Sequence, residues 1–313
     1  MISLVGYSGF VGTNLSSKFS FDKLYNSKNI RASYGTKPDL LVYSGVRSEM
    51  FTANNNPTED LLAIENAFYN MKKIMPKKVV LISTVSVYGN ECYGDEDFYI
   101  DERNLTAYGK NRLYLEKLVS EYFSEAYIVR LPALYGNGLK KNFIYDYINY
   151  IPKLIKKEKF YELCKKDEKL SNYYERVNDI FMELKKINNN DRKELIKKLR
   201  LLGFSALNFT DSRSVYQYYN LDNLWDHINI VVNNGIHLIN LVTEPMSVDY
   251  IYTYLENDRF VNHVMDKPYN YNIKTKYYKL FSGENGYIAN KNKVMQDLVL
   301  FINKEKERLI ICD

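Results

Sequence analysis

The chain has 313 residues, enough for one large domain or two modest ones with a sizeable buried core. Its 46% hydrophobic and 26% charged residues indicate a soluble globular protein, and a net charge of +5 is too weak to indicate nucleic-acid binding. No apolar run of about 18 residues and no signal-peptide pattern is present, which predicts a cytoplasmic protein without a membrane span. Cys92, Cys164 and Cys312 are far apart, which predicts neither a disulfide framework nor a zinc site.

The N-terminal residues predict a strand, a glycine-rich turn and a helix. Residues 2–5 are apolar and β-prone, and apolar residues at helical spacing follow from Phe10. We expect Gly6 to allow the tight turn, Gly9 to let a pyrophosphate approach the backbone, and Gly12 to let the helix pack closely on the sheet. The helix start offers N–H groups to phosphates, so the stretch predicts a dinucleotide site, with an ordinary glycine-rich turn as the alternative. The expected contacts are Gly6, Ser8, Gly9, Phe10, Val11 and Gly12.

Residues 21–26 predict a second strand, and the residues at its end bear on the choice of cofactor. An acidic residue there favours NAD(H), because it binds the ribose 2′-hydroxyl. Asn26, Ser27 and Lys28 stand there instead, with Arg31 beyond them. This stretch favours NADP(H) as the cofactor and leaves NAD(H) as an alternative. Lys28 and Arg31 have an alternative interpretation as solvated loop charges.

The next predicted elements alternate between strands and helices. They are a strand over 38–45, a helix over 58–74, a strand from 79 that ends in Ser83 and Thr84, a helix over 106–118 and a strand over 127–131. Such alternation predicts an α/β fold with a Rossmann-type, doubly wound parallel sheet.

The second half of the chain predicts a more varied organisation. Residues 151–205 are rich in Lys and Glu with apolar residues at helical spacing, which predicts a helical insertion of two or three amphipathic helices. Its charges indicate a solvated face or, alternatively, a lid over a substrate. A short strand over 206–209, a helix over 221–234 and a strand over 237–241 are expected next. Residues 1–150 are predicted to form a dinucleotide-binding domain, to which 206–241 returns in part. Residues 151–205 are the insertion, and 242–313 are predicted to form a smaller α+β substrate domain.

Four marks in this order resemble the extended short-chain dehydrogenase/reductases, a family of sugar-nucleotide epimerases, dehydratases and ketoreductases. The marks are the GxxGxxG turn over 6–12, Thr84 three residues before a Val-Tyr-Gly turn, the segment from Tyr108 to Arg112, and the segment from Arg130 to Gly138. The third differs from the family's Tyr-x-x-x-Lys element, because Arg112 stands in the lysine position.

The resemblance implies that Tyr108 is the acid/base, that Arg112 lowers its pKa and holds the nicotinamide ribose, and that Thr84 donates to the substrate oxygen. Residues four apart share a helix face, so Tyr108 and Arg112 are expected at one site, although a guanidinium is larger than an ammonium group and planar. Further cofactor contacts implied by the resemblance are Ser44, Gly45, Ser83, Pro132 and Leu134.

Candidate substrate residues lie beyond these marks. Lys141 and Asn142 follow the last mark, where the resemblance implies contact with a nucleotide-sugar. Arg213 is a candidate for bidentate binding of a diphosphate, with a surface salt bridge as the alternative. Val85 and Ser86 stand where a dehydratase often has Asp-Glu, which disfavours dehydration. The histidine spacing predicts no metal site.

The predicted function is an NAD(P)-dependent oxidoreductase that reduces a keto group of a nucleotide-activated sugar, with Tyr108 as acid. One alternative is an epimerase that keeps NAD tightly bound. Another, motivated by Arg112, is a protein that binds the cofactor without catalysis. The expected partner is a nucleotide-sugar rather than nucleic acid or a membrane, and the resemblance implies a homodimer.

Overall fold

The computed structural model describes residues 1–89 and 93–311. The strands are β1 Ile2–Val5, β2 Lys23–Tyr25, β3 Leu40–Tyr43, β4 Lys78–Thr84, β5 Tyr93–Gly94, β6 Ala126–Leu131, β7 Ala133–Tyr135, β8 Leu154–Lys156, β9 Tyr174–Arg176, β10 Phe181–Leu184, β11 Val215–Tyr216, β12 Tyr218–Asn220, β13 Leu238–Asn240, β14 Met246–Ser247 and β15 Asn272–Ile273. The helices are α1 Phe10–Lys18, α2 Met50–Asn55, α3 Pro57–Ile74, α4 Ala107–Tyr122, α5 Phe143–Asn149, α6 Lys157–Cys164, α7 Asn189–Leu201, α8 Leu224–Asn233, α9 Val248–Glu256 and α10 Lys291–Ile311.

A six-stranded sheet in the order β13-β6-β4-β3-β1-β2 forms the centre of the fold. Every neighbouring pair in it is parallel, which confirms the predicted α/β architecture. The predicted strand over 237–241 returns to this sheet as β13, beside β6. The chain places β2 on one side of β1 and β3 on the other, so the strand order reverses at β1. Such a reversal opens a crevice at the carboxyl ends of the strands.

Apolar residues cover both faces of the sheet. Leu4 of β1 packs in one core with Leu15 of α1 and residues of α8, whereas its neighbour Val5 packs in a second core with Ile64 of α3 and Leu115 of α4. Successive strand residues point to opposite faces, so a strand buried on both sides needs a continuous apolar run. This requirement explains why the strand sequences do not alternate with polar residues.

Two compact units divide the chain. The first consists of 1–139, 215–246 and 270–294, and the second of 140–214, 247–269 and 295–313. These units differ from the expected boundaries, because 206–214 falls in the second unit and 270–294 in the first. The parallel sheet lies in the first unit, where β12 pairs with β7 and β15 pairs with β5.

The predicted helical insertion contains strands as well as helices. The expected helices are present as α6 and α7, but an antiparallel sheet in the order β8-β10-β9 lies beside them. Ile155, Met182 and Leu195 are buried in a core that joins this sheet to the helices. The segment over 206–209, expected as a strand, is instead a turn of 3-10 helix, because Ser205 caps it by accepting from the backbone N–H of Leu207.

Across residues 1–89 and 93–311, no helix combines the length and apolarity that a membrane crossing requires. The same ranges contain no cluster of three or more His, Cys, Asp or Glu side chains arranged to hold a metal ion. Cys164 is a half-buried free thiol. Cys92 and Cys312, which also entered the prediction about disulfides and zinc, lie outside the described residues.

Candidate functional site

The three glycines of the first turn differ in what surrounds them. Gly6 has a φ of +92°, and a Cβ on it would lie 2.6 Å from the backbone carbonyl of Ser44. A Cβ on Gly12 would lie 2.0 Å from the carbonyl oxygen of Gly6. Gly9 has an ordinary φ of −84° and only one near contact, at 3.3 Å from the oxygen of Gly6. The fold itself therefore requires glycine at 6 and 12, whereas Gly9 leaves room in front of the turn.

The start of α1 fits an anionic group at Gly9. No side chain caps this helix end, and no acidic residue occupies its first turn, where Phe10 and Val11 lie. The N–H groups and the positive end of the helix dipole are therefore available to a phosphate. Ser8 is exposed beside the turn, whereas the hydroxyl of Thr13 donates to the carbonyl oxygen of Tyr7 at 3.1 Å and braces it. A glycine with free space at an uncapped helix start fits the pyrophosphate of a dinucleotide.

The ends of β1, β2 and β3 adjoin at this turn. The N–H of Gly6 donates to the carbonyl oxygen of Tyr25 at 2.7 Å, and the N–H of Ser44 donates to the carbonyl oxygen of Val5 at 2.9 Å. The hydroxyl of Ser44 donates to that same Val5 oxygen at 3.0 Å. A Cβ on Gly45 would lie 3.0 Å from the Val5 side chain. Ser44 and Gly45 thus border the glycine turn, as expected.

The loop after β2 carries the groups expected to select the cofactor. The amide of Asn26 donates to the hydroxyl of Ser8 at 3.3 Å, so this loop contacts the glycine turn directly. The backbone N–H of Lys28 donates to the side-chain oxygen of Asn26 at 2.9 Å. Ser27, Lys28 and Arg31 are exposed. Within the described part of the chain neither Lys28 nor Arg31 has an ion-pair partner, so both cations are available to a ligand.

Tyr108 and Thr84 meet where α4 packs on the end of β4. Thr106 caps α4 by accepting from the N–H of Gly109, and a Cβ on Gly109 would lie 2.5 Å from the carbonyl oxygen of Ser86. This close approach places the phenol of Tyr108, which is 6% exposed, near Thr84. The guanidinium carbon of Arg112 lies 4.0 Å from the centre of the Tyr108 ring. The expected catalytic residues are therefore brought together.

Arg112 is itself held by other groups. Its guanidinium forms an ion pair with Asp60 of α3, and both side chains are nearly buried, at 6% and 11% exposure. It also donates to the carbonyl oxygen of Arg47 at 2.5 Å. Burial raises the pKa of Tyr108 above its ordinary value; Arg112 and Thr84 act to lower that pKa, and Asp60 acts to raise it. The expected influence of Arg112 has the expected sign, but burial outweighs it.

Ser83 and Thr84 are adjacent on β4 and have different partners. The hydroxyl of Ser83 donates to the carboxylate of Glu116, which also forms a buried ion pair with Arg130 at 2.7 Å. The hydroxyl of Thr84 accepts from the N–H of Ser86 at 3.1 Å and lies near Tyr108. Ser83 therefore belongs to a buried polar network, and Thr84 is the hydroxyl that accompanies the phenol.

One positioning residue was missed by the sequence analysis. Asn14 is fully buried in α1, and its amide donates to the carbonyl oxygen of Asn137 at 2.9 Å while its oxygen accepts from the Asn137 N–H at 2.9 Å. It thereby ties α1 to the loop after β7. Leu134, an expected nicotinamide contact, lies in β7, which pairs with β12, and Pro132, the other expected contact, directly precedes β7. The only indication of this role in the sequence is a single polar residue, Asn14, next to the apolar Leu15.

The three candidate substrate residues lie in the second unit. Asn142 has a φ of +100° and caps α5 by accepting from the N–H of Tyr145 at 3.1 Å, and Lys141 beside it is exposed. Arg213 donates to both oxygens of the fully buried Asp211, at 2.9 and 2.8 Å, and to the carbonyl oxygen of Met265 at 2.5 Å. These bonds give Arg213 a structural role within its own unit.

Comparisons with known proteins agree with this architecture. Residues 24–162 match the sequence model of the NAD dependent epimerase/dehydratase family. A comparison with curated protein sequences gives no match. The fold is similar to that of RMD from Pseudomonas aeruginosa complexed with NADPH, with 13% identity, a TM-score of 0.63, and 98% of this chain and 99% of that chain covered.

Two further solved structures extend the comparison. The dTDP-4-dehydrorhamnose reductase of Bacillus anthracis in complex with NADP has 14% identity and a TM-score of 0.59, over 100% of this chain and 98% of that chain. The UDP-N-acetylglucosamine 4-epimerase of Methanobrevibacter ruminantium has 12% identity and a TM-score of 0.58, over 96% of each chain. At such identities the likeness establishes the fold.

Proposed function

We propose that this chain, whose residues 24–162 match the model of the NAD dependent epimerase/dehydratase family, is an NADP(H)-dependent reductase of a keto group in a nucleotide-activated sugar. The observation that carries the proposal is the buried phenol of Tyr108, which lies near Thr84 and is covered by the guanidinium of Arg112. A protonated phenol beside a second hydroxyl suits the delivery of a proton to a carbonyl oxygen.

The chemistry divides between the cofactor and these side chains. A bound nicotinamide supplies the hydride for the carbonyl carbon. Tyr108 donates its proton to the carbonyl oxygen, which becomes a hydroxyl. Thr84 donates a hydrogen bond to the same oxygen and stabilises its developing negative charge. Arg112 stabilises the phenolate that remains on Tyr108.

The protonation state of Tyr108 supports reduction over epimerisation. Burial raises its pKa, and the Asp60 carboxylate adds to the rise, so the phenol holds its proton at neutral pH. A proton donor is what reduction of a carbonyl requires. An epimerase first oxidises an alcohol and therefore needs the phenolate as a base, a form that burial opposes.

The loop after β2 supports NADP(H) as the cofactor. Gly9 and the start of α1 would hold its pyrophosphate, and the exposed cations Lys28 and Arg31 would pair with its 2′-phosphate. No carboxylate stands between residues 24 and 33 to bind the 2′-hydroxyl of NAD. The structures of RMD and of the Bacillus anthracis reductase, described as complexed with NADPH and NADP, support the same choice.

A second candidate is a protein that binds the cofactor without turning over a substrate. The observation in its favour is the engagement of Arg112 by Asp60 and by the Arg47 carbonyl, which uses donors that the family's lysine would offer to the nicotinamide ribose. The two candidates differ in the effect that removal of the Tyr108 hydroxyl has on turnover.

The test combines cofactor binding with turnover. NADPH and NADH are titrated by fluorescence, and NADPH oxidation is then followed with dTDP-4-dehydrorhamnose and other nucleotide-linked 4-keto sugars. Tyr108→Phe is expected to lower turnover by about 100-fold or more and leave NADPH affinity unchanged. Tyr114→Phe is the matched control, because Tyr114 lies on the same helix and is 40% exposed.

Each alternative has its own outcome. Binding of NADPH with no oxidation by any keto-sugar supports the non-catalytic protein. Retention of NAD(H) through purification and dialysis supports the epimerase. Equal turnover in wild type and Tyr108→Phe contradicts the assigned role of Tyr108.

A further inference from the structure

We propose that Asp60 is a positioning residue for the reaction described above: its carboxylate holds the guanidinium of Arg112 over Tyr108 and offsets the charge of that guanidinium. This inference rests on the proposed function for its catalytic meaning. It assigns a role to a carboxylate that no motif of the sequence singled out.

Asp60 binds two neighbouring residues of α4. It pairs with the guanidinium of Arg112 and accepts from the amide of Asn111 at 2.8 Å, and that same amide also donates to the carbonyl oxygen of Pro57 at 3.3 Å. Asp60 lies in the first turn of α3, where the positive end of the helix dipole stabilises a carboxylate. The contact thus fixes the start of α3 to the helix that carries Tyr108.

The bonds of Arg112 determine where its charge acts. Asp60 and the Arg47 carbonyl fix two of its nitrogens, which leaves the guanidinium carbon 4.0 Å from the centre of the Tyr108 ring. A planar group with several donors needs such bonds to be held in one orientation, and a buried cation needs a counter-charge. Asp60 provides both the bond and the charge.

The groups that face Tyr108 come from four elements. Arg112 acts from its own helix, Asp60 from α3 and Thr84 from the end of β4. From α2, the uncharged Asn54 accepts from the Tyr108 backbone N–H at 2.9 Å. Of these groups only Asp60 carries negative charge, so it is the group that opposes the influence of Arg112. Without it the buried guanidinium would favour the phenolate, and the phenol would lose its proton at lower pH.

Asp60→Asn tests this role, because asparagine has the same size and lacks the charge. In apo protein labelled with 13Cζ-tyrosine, the Tyr108 resonance, assigned by its loss in Tyr108→Phe, is expected to titrate about one pH unit lower than in wild type. In turnover assays, the basic limb of the kcat–pH profile is expected to shift to lower pH as well, by about one pH unit, which is a tenfold change in proton concentration. NADPH affinity is expected to be unchanged, and Asp60→Glu is expected to restore much of the wild-type titration.

Glu116→Gln is the matched control for stability. It removes the carboxylate of another buried ion pair in the same unit, with Arg130, where both side chains are 5% exposed. It is expected to lower the Tm without shifting the Tyr108 titration. An unshifted titration in folded Asp60→Asn overturns the inference, and so does an equal shift in both variants. Because the resonance is read without cofactor or substrate, a shifted titration in a protein without turnover supports the role of Asp60 while contradicting the proposed function.

Discussion

Alanine at Gly12 and at Gly9 separates what the fold needs from what a dinucleotide needs. In Gly12→Ala, the new Cβ lies 2.0 Å from the Gly6 oxygen and 2.6 Å from the Gly6 carbonyl carbon, both of them backbone atoms. The first contact must lengthen to about 3.4 Å, where ordinary van der Waals contact begins, so α1 has to move away from the turn. Such overpacking costs about 3 kcal/mol.

Part of this cost is offset by helix propensity. Gly12 lies inside α1, where alanine is about 1 kcal/mol more favourable than glycine. The net loss of about 2 kcal/mol corresponds to a Tm lower by roughly 4–8 °C. In Gly9→Ala the nearest contact is 3.3 Å and the φ is −84°, so the free energy of unfolding changes by less than about 1 kcal/mol. The new methyl group instead occupies the space in front of the uncapped helix start.

Thermal unfolding by circular dichroism, without cofactor, measures the first effect, and fluorescence titration with NADPH measures the second. We expect Gly12→Ala to lower the Tm, and Gly9→Ala to retain the Tm while it weakens NADPH binding by about tenfold or more. A wild-type Tm in Gly12→Ala would refute the steric reasoning. Wild-type NADPH affinity in Gly9→Ala would show that no phosphate approaches this glycine.

Two other predictions concern cofactor choice and pH. Replacing Lys28 and Arg31 together by alanine should weaken NADPH binding about tenfold and leave NADH binding unchanged in fluorescence titrations, because only NADPH carries the 2′-phosphate; equal losses for both would contradict this. Burial lowers the pKa of His227 to about 4, and its Nδ1 lies 2.8 Å from the Tyr219 hydroxyl oxygen. Between about pH 6.5 and about pH 4, the unfolded chain, in which the His pKa is about 6.5, binds more protons than the folded chain. The free energy of unfolding should therefore fall by up to about 3 kcal/mol as the pH drops across this range. Denaturant unfolding at several pH values should show this slope in wild type and not in His227→Gln.

Local patterns were sufficient for the parallel sheet and the glycine turn. The apolar run over 2–5, the glycines that follow it and the helix over 58–74 are each encoded by neighbouring residues, and the structure has them as β1, the turn and α3. Backbone sterics and the burial of a strand on both faces restrict such segments to few conformations. The order of the marks along the chain was then enough to indicate the family.

Local patterns were insufficient in the insertion. The short runs over 174–176 and 181–184 contain few residues, and their apolar members also fit a helical period, so they were assigned to helices. Their pairing into β9 and β10 with β8 is decided by the core around Ile155 and Met182. Tertiary burial overrides a weak local preference when the segment is short.

The composition of the candidate site was predictable from the sequence, but its electrostatics were not. The spacing of Tyr108 and Arg112 along one helix placed both at the end of β4, and the sequence alone determined that a cation stands beside the phenol. The tertiary structure decided that Asp60, 52 residues before Arg112 in the chain, holds that cation. It also decided that burial raises the pKa of the phenol. Both effects depend on which groups fold into contact and on how much water they exclude, and neither quantity is a property of neighbouring residues.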